Sequence, residues 1–349
     1  MPKHVLIVGA GPGGLATAML LAKAGCEVTV IEKQPRVGGR TSLLEGNGYR
    51  FDVGPTFFLY PEVLAEIYAG VGRNLYQEVP MKRLDPQYRL VFGAGGELLC
   101  SSDLDRMTAE IAKLAPADAP AFRRFMDYNR AKFEKLAPCL QIPYLSWTDL
   151  LDRRLVSVVP YLKPWKSLHA ELAGFFRDPR LQLAFTFQSK YLGMSPFQCP
   201  SLFSILSFLE YEYGIWHPIG GCNALTASMA RVATELGATI RLNEPVEEIL
   251  FDGRRAIGVR TNQGEYRADA VVLNADFAYA MTKLVPDRLR RKWTDETIAR
   301  KRFSCSTFML YLGIEGRYDQ LAHHNIYIAA DYRRNLDEIE NQHVLSDDP

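Results

Sequence analysis

The run His4 to Val8 is apolar and rich in β-branched residues, and Gly9-Ala10-Gly11-Pro12-Gly13-Gly14 follows it without a gap. An apolar run with no polar alternate predicts a strand covered on both faces. Leu15 to Lys23 then carries helical spacing, and Glu27 to Ile31 is a second short apolar strand. Strand, glycine turn, helix and strand in this order predict the start of a parallel sheet. Helical periodicity returns at Met107 to Leu114 and Ala121 to Phe133, and Gly93-Ala94-Gly95-Gly96 reads as a hairpin turn before the strand Glu97 to Cys100. Far downstream come a helix from Ala224 to Leu236 and a strand from Thr239 to Leu242. Three strands then form a meander (Val246 to Phe251, Ala256 to Thr261, Glu265 to Ala268), and Asp269 to Ala275 is a return strand.

These elements predict an α/β fold: a Rossmann-like domain with a parallel sheet and a β-meander, interrupted by a mixed α+β substrate domain. The expected cuts assign residues 1–75 and 215–280 to the nucleotide domain, and 76–144 and 281–349 to the substrate domain. Residues 145–214 are expected to form a helical insertion. Within it, Leu150, Leu151, Leu155, Val158, Val159, Leu162 and Trp165 alternate with Arg153, Arg154, Lys163 and Lys166. Such an amphipathic pattern suits either a core-facing stripe or a face laid on a membrane, where aromatic and basic side chains meet the headgroups.

The glycine turn carries the chemistry. Gly9 permits a tight turn, Gly11 lets the backbone approach a pyrophosphate, and Gly14 lets the helix pack closely on the strand. A pyrophosphate would sit on the N–H groups at that helix's positive end. Glu32 closes the second strand, where a carboxylate accepts from a ribose 2′-OH and repels a 2′-phosphate, which disfavours NADP. NAD and FAD both remain open at this point. Gly38-Gly39-Arg40 and Gly54-Pro55 lie in two further turns, suggesting that the backbone passes a bound group repeatedly, with Arg40 placed to neutralise a phosphate.

The 349 residues carry a net charge of +1 with no basic block, which argues against a nucleic-acid partner. Six scattered cysteines with no C-x-x-C pair fit reduced thiols inside a cell, and no histidine or cysteine spacing points to a metal. No apolar run reaches membrane-spanning length. The expected location is therefore the cytoplasm, peripheral on a membrane.

Taken in order, the fingerprint with Glu32, the Arg36-x-Gly38-Gly39-Arg40 turn, Phe51-Asp52-x-Gly54-Pro55 and Trp216-x-Pro218-x-Gly220-Gly221 resemble the bacterial-type phytoene desaturases, within the amine-oxidase-like flavoproteins. Phe185-x-Phe187, Gly193-x-x-Pro196-Phe197, Leu209-Glu210 and Ala322-His323-His324 extend the resemblance over the whole chain. The resemblance implies FAD. It assigns the pyrophosphate to Gly9, Gly11, Gly13 and Gly14, the ribose to Glu32 beside Lys33, further phosphate contacts to Gly38, Gly39 and Arg40, the adenine to Val246, and the isoalloxazine surroundings to Gly220 and Gly221. It also implies removal of hydrogen from a long acyclic isoprenoid, with quinone or dioxygen as the final electron acceptor. Asp149 in Ser146-Trp147-Thr148-Asp149 is its candidate acid or base, although an acid in the first turn of a helix is the structural alternative. Members of that family continue into a glycine-rich segment that returns to the flavin, whereas this sequence stops at Ser346-Asp347-Asp348-Pro349, so an incomplete flavin end is expected. A same-fold oxidase acting on a C30 isoprenoid, a carotenoid end group or an amine, and a catalytically incomplete nucleotide-binding fragment, are the alternatives.

Overall fold

The computed structural model describes residues 2–348, which divide into two compact units. The first comprises residues 1–82 and 216–302, and the second residues 83–215 and 303–349.

The first unit is built on β1 (His4–Val8), α1 (Pro12–Lys23) and β2 (Glu27–Ile31). The strands run in a four-stranded parallel sheet ordered Thr239–Arg241, β2, β1, Ala270–Leu273. Both faces of β1 are covered, which is why its sequence shows no polar alternation. Val5 and Ile7 join Leu15, Met19, Val28, Val30, Leu225 and Val232 on the helical side. Leu6 and Val8 join Ile31, Ile249, Val259, Ala280 and Leu284 on the other. That second face is roofed by the antiparallel meander Val246–Asp252, Arg255–Thr261 and Gly264–Arg267. Full burial of side chains such as Leu6 and Ile7, both 0% exposed, stabilises the sheet by about 1.5–3 kcal/mol each.

The second unit holds a three-stranded sheet in which Tyr88–Phe92 pairs antiparallel with Glu97–Cys100 and parallel with Asn325–Ile328. Helices Leu104–Leu114, Ala119–Leu140 and Ser204–Tyr213 pack with it around an aromatic interior. Phe176 and Phe185 stack with centroids 4.8 Å apart, and Phe122, Phe125 and Tyr211 surround Phe185.

The elements differ from expectation in four places. α1 begins at Pro12 rather than Leu15, because proline is well suited to a first helical position and the two following glycines complete the first turn. The first unit runs to residue 82 and from 216 to 302, past the expected cuts at 75 and 280. The reason is that Ala280 and Leu284, on the helix Phe277–Leu284, are buried in the meander-side core. Residues 145–214 share a unit with 83–144, since Phe122 and Phe125 pack on Phe175, Phe176 and Phe185. Finally, of the amphipathic stripe only Val158, on the helix Arg153–Leu162, is buried, while Leu151 and Trp165 are exposed.

One carboxylate is sealed inside the second unit. Glu210 is 0% exposed, and its oxygens accept from Tyr88 Oη at 2.8 Å, Gln188 Nε2 at 2.9 Å and Tyr191 Oη at 2.8 Å. Burial outweighs these donors and pushes its carboxyl from 4.5 up to about 7. Between those two values the folded chain keeps a proton that the unfolded chain releases, so stability falls as pH rises through this window. Denaturation at pH values across it should show about 3 kcal/mol lost in the wild type and retained in Glu210→Gln. Parallel pH profiles for the two proteins would contradict this.

Candidate functional site

Three glycine turns of the first unit are stacked so tightly that side chains are excluded between them. Gly9 turns at φ +100°, donates to Ile31 O at 2.8 Å, and a Cβ on it would lie 3.0 Å from Asn274 O. A Cβ on Gly14 would fall 2.2 Å from Gly9 O, one on Gly39 3.2 Å from Gly11 Cα, and one on Gly54 2.3 Å from Arg40 O. Gly38 N donates to Ala10 O at 2.8 Å, tying the second turn to the first.

These turns frame a cavity of about 730 Å³. Eight of the expected residues line it: Gly9, Gly11, Gly13, Glu32, Lys33, Gly39, Arg40 and Val246. Gly14, Gly38, Gly54, Pro55, Gly220 and Gly221 do not. Gly14, Gly38 and Gly54 instead make the close approaches that hold the turns together.

Glu32 is buried at the end of β2. Its Oε2 accepts from Ala10 N at 2.8 Å and its Oε1 from Gln34 N at 2.9 Å. The carboxylate thus ties the glycine turn to the strand end and keeps further lone pairs for ribose hydroxyls. No side chain caps α1 at Gly11, so its positive end is left to a ligand anion. Arg40, its side chain 89% exposed, pairs with Asp276 at 3.3 Å on the rim and can turn to a phosphate.

The helix Asn223–Glu235 contrasts with α1. Asp52 Oδ2 accepts from Cys222 N at 2.8 Å and Asp52 Oδ1 from Asn223 N at 2.9 Å, so this N-terminus already holds a carboxylate. A Cβ on Gly221 would lie 2.7 Å from Asp52 Oδ2. α1 thus leaves its end to a phosphate, whereas the end of this helix is closed by Asp52.

Sequence reasoning missed Asn274, Asp276 and Tyr279, which line the cavity from the return strand and the following helix. Asn274 Nδ2 reaches Gly9 O at 3.3 Å, and a Cβ on Gly13 would lie 2.7 Å from Asn274 Oδ1. Only its place directly after an apolar strand could have flagged it. Asp52 stood inside a quoted motif without a role.

Asp149 lies in the second unit. Its carboxylate closes a capping box with Ser146 and accepts from Leu145 N and Ser146 N, both at 2.8 Å. These backbone donors hold its carboxyl below the ordinary aspartate value. These contacts are those of the helix-start alternative; a role for Asp149 as acid or base stays an expectation of the resemblance. Among the described residues no group of three potential metal ligands gathers.

The family model for flavin containing amine oxidoreductases matches residues 12–318. This chain belongs to that family. Within it the chain falls with the bacterial-type phytoene desaturases, and its cofactor is FAD. It is 41% identical over 347 residues to a 4,4'-diapophytoene desaturase (4,4'-diapolycopene-forming) of Methylomonas sp, covering 99% of this chain and 68% of the relative. It is also 41% identical to an all-trans-zeta-carotene desaturase of Myxococcus xanthus, covering 99% and 67%. The chain thus spans about two thirds of the length of these relatives. Putrescine oxidase bound to putrescine shares the fold, with a TM-score of 0.55 at 22% identity over 81% of this chain and 60% of that one.

The residues present fit the adenosine diphosphate half of FAD: an uncapped helix end for the pyrophosphate, Glu32 for the ribose and a cavity wall at Val246 for the base. Glu32→Gln turns one acceptor into a donor facing a backbone N–H. It should weaken ADP binding by about tenfold, as read by calorimetric titration. Unchanged affinity would show that Glu32 does not hold the ribose.

Proposed function

We propose that this chain desaturates an acyclic carotenoid precursor, converting saturated carbon–carbon bonds into conjugated double bonds. The observation that carries this reading is the cavity with its uncapped helix end and Glu32, in a chain 41% identical to two carotenoid desaturases. Bound FAD supplies a hydride acceptor. The glycine turns give the pyrophosphate close backbone approach, Glu32 orients the ribose, and Arg40 leaves Asp276 to neutralise phosphate charge. Asp52 holds the turn at Gly220 and Gly221 by its bonds to Cys222 and Asn223. A hydrocarbon substrate has no ionic handle, so apolar walls must position it. The second unit supplies apolar and aromatic side chains in abundance.

The same unit exposes Leu140, Leu145, Leu151, Val156, Val159 and Trp165, with Leu145 87% and Trp165 84% exposed. Arg153, Arg154, Lys163 and Lys166 are interspersed with them. Among the described residues no helix is long and apolar enough to cross a membrane. We read this face as a monotopic attachment to the bilayer in which the substrate is dissolved.

Two experiments test these readings. The FAD-loaded chain, incubated without oxygen with phytoene or diapophytoene in liposomes, should bleach its flavin absorption as a coloured polyene forms. Bleaching with an amine and with neither isoprenoid would overturn the assignment. In flotation, the chain should rise with liposomes, and Leu145→Asp with Trp165→Asp should leave it in the dense fraction; a wild type that never floats rules out the attachment.

A further inference from the structure

The glycine turns suit the diphosphate of FAD and Glu32 suits its ribose, which leaves the base in need of a surface to lie on. We propose that Tyr279 is that surface: its ring stacks on the adenine and makes the cavity selective for a nucleotide. This role rests on the diphosphate lying at α1 and the ribose at Glu32, and not on the identity of the substrate.

The fold of the first unit fixes where this ring stands. The strand Ala270–Leu273 runs parallel to β1, and Asp276 opens the helix Phe277–Leu284 directly after it. Asp276 Oδ1 accepts from Tyr279 N at 3.1 Å and Asp276 O from Ala280 N at 2.8 Å, so the first turn of that helix is tied down at the cavity. Ala280 and Leu284, one turn apart, are buried in the meander-side core. Phe277 meets Trp293 edge-on with centroids 5.0 Å apart. With its neighbours anchored in this way, Tyr279 lines the cavity and stays 49% exposed.

Among the described residues that line the cavity, Tyr279 is the one aromatic side chain. A half-exposed ring gains when a second flat apolar surface of similar size covers it, and a purine is such a surface. The wall beside it is apolar: Pro245 and Val246 line the cavity, and Val246 packs on the same core as Ala280 and Leu284. Lys33 holds its ammonium 5.4 Å from the centroid of the Tyr279 ring, on one face, and leaves the other for a base. Because Lys33 directly follows Glu32, this contact brings the ring beside the carboxylate assigned to the ribose.

Each part of the cavity then reads a different part of the ligand. The glycine turns and Glu32 recognise phosphates and sugar, which any sugar diphosphate carries. Tyr279 recognises the base, and so separates a nucleotide from a bare sugar diphosphate. A ring already held by its helix loses little freedom when a base covers it, so the stack adds to affinity at small ordering cost.

The test is the binding of ADP to the chain freed of FAD, read by calorimetric titration and with etheno-ADP, an analogue whose base fluorescence falls on stacking. Wild type should bind both, with the fluorescence quenched at saturation. Tyr279→Phe keeps the ring and should match wild-type affinity within about twofold, with the same quenching. Tyr279→Leu keeps apolar bulk without the π-face; it should bind ADP about tenfold more weakly and leave bound etheno-ADP bright. The ring is half-exposed, so neither change opens the core. A Tyr279→Leu protein with wild-type ADP affinity, or with full quenching at saturation, would overturn the stack alone. A wild type that binds no ADP would overturn the nucleotide reading of the cavity and the stack with it.

Discussion

The first unit depends on backbone contacts that leave no volume for a Cβ. Gly14 against Gly9 O, Gly39 against Gly11 Cα and Gly54 against Arg40 O hold three turns at distances that any side chain would force apart. Everything the cavity does follows from that closeness. The end of α1 comes level with the tip of β1, Glu32 reaches the Ala10 N–H, and Arg40 is carried to the rim. The parallel sheet supplies the rigid floor, because β1 is buried on both faces and cannot shift to accommodate a looser turn.

Electrostatics then divides the work between two helix ends in one unit. α1 is left without a side-chain cap, whereas the helix Asn223–Glu235 is closed by Asp52. One positive end thus attracts a diphosphate, and the other is neutralised from within. The second unit treats its acids in the opposite way: Asp149 is bonded by exposed backbone amides and stays ionised, while Glu210 is sealed among phenols and amides and is held near neutrality.

Much of this was legible in the sequence, and the limits have physical causes. The strand, glycine turn, helix and strand of the first 32 residues were readable because local sterics and period decide them. So was the meander. Asn274 and Tyr279 were not readable as site residues, because only the tertiary return of a strand from far along the chain brings them to the turn. Glu210 was visible only as part of a resemblance; nothing in a local window says that a glutamate will be enclosed by Tyr88, Gln188 and Tyr191 from other elements. The amphipathic stripe at Leu150 to Trp165 could be read as core or surface; Val158 is buried with Leu162 packed against its cluster, while Leu150, Leu151, Val159 and Trp165 stay exposed.

The register of the parallel sheet bears on how the chain is made. β1 and β2 pair with each other, but the outer edge of β1 meets Ala270–Leu273 and that of β2 meets Thr239–Arg241 only after those distant segments have been made. Contacts so distant in sequence give the first unit a high contact order and slow closure. In the interval β1 and β2 are exposed apolar edges, open to pairing with other chains. Synthesis of this flavoprotein should therefore pass through a window in which chaperone capture or early cofactor binding decides between folding and aggregation.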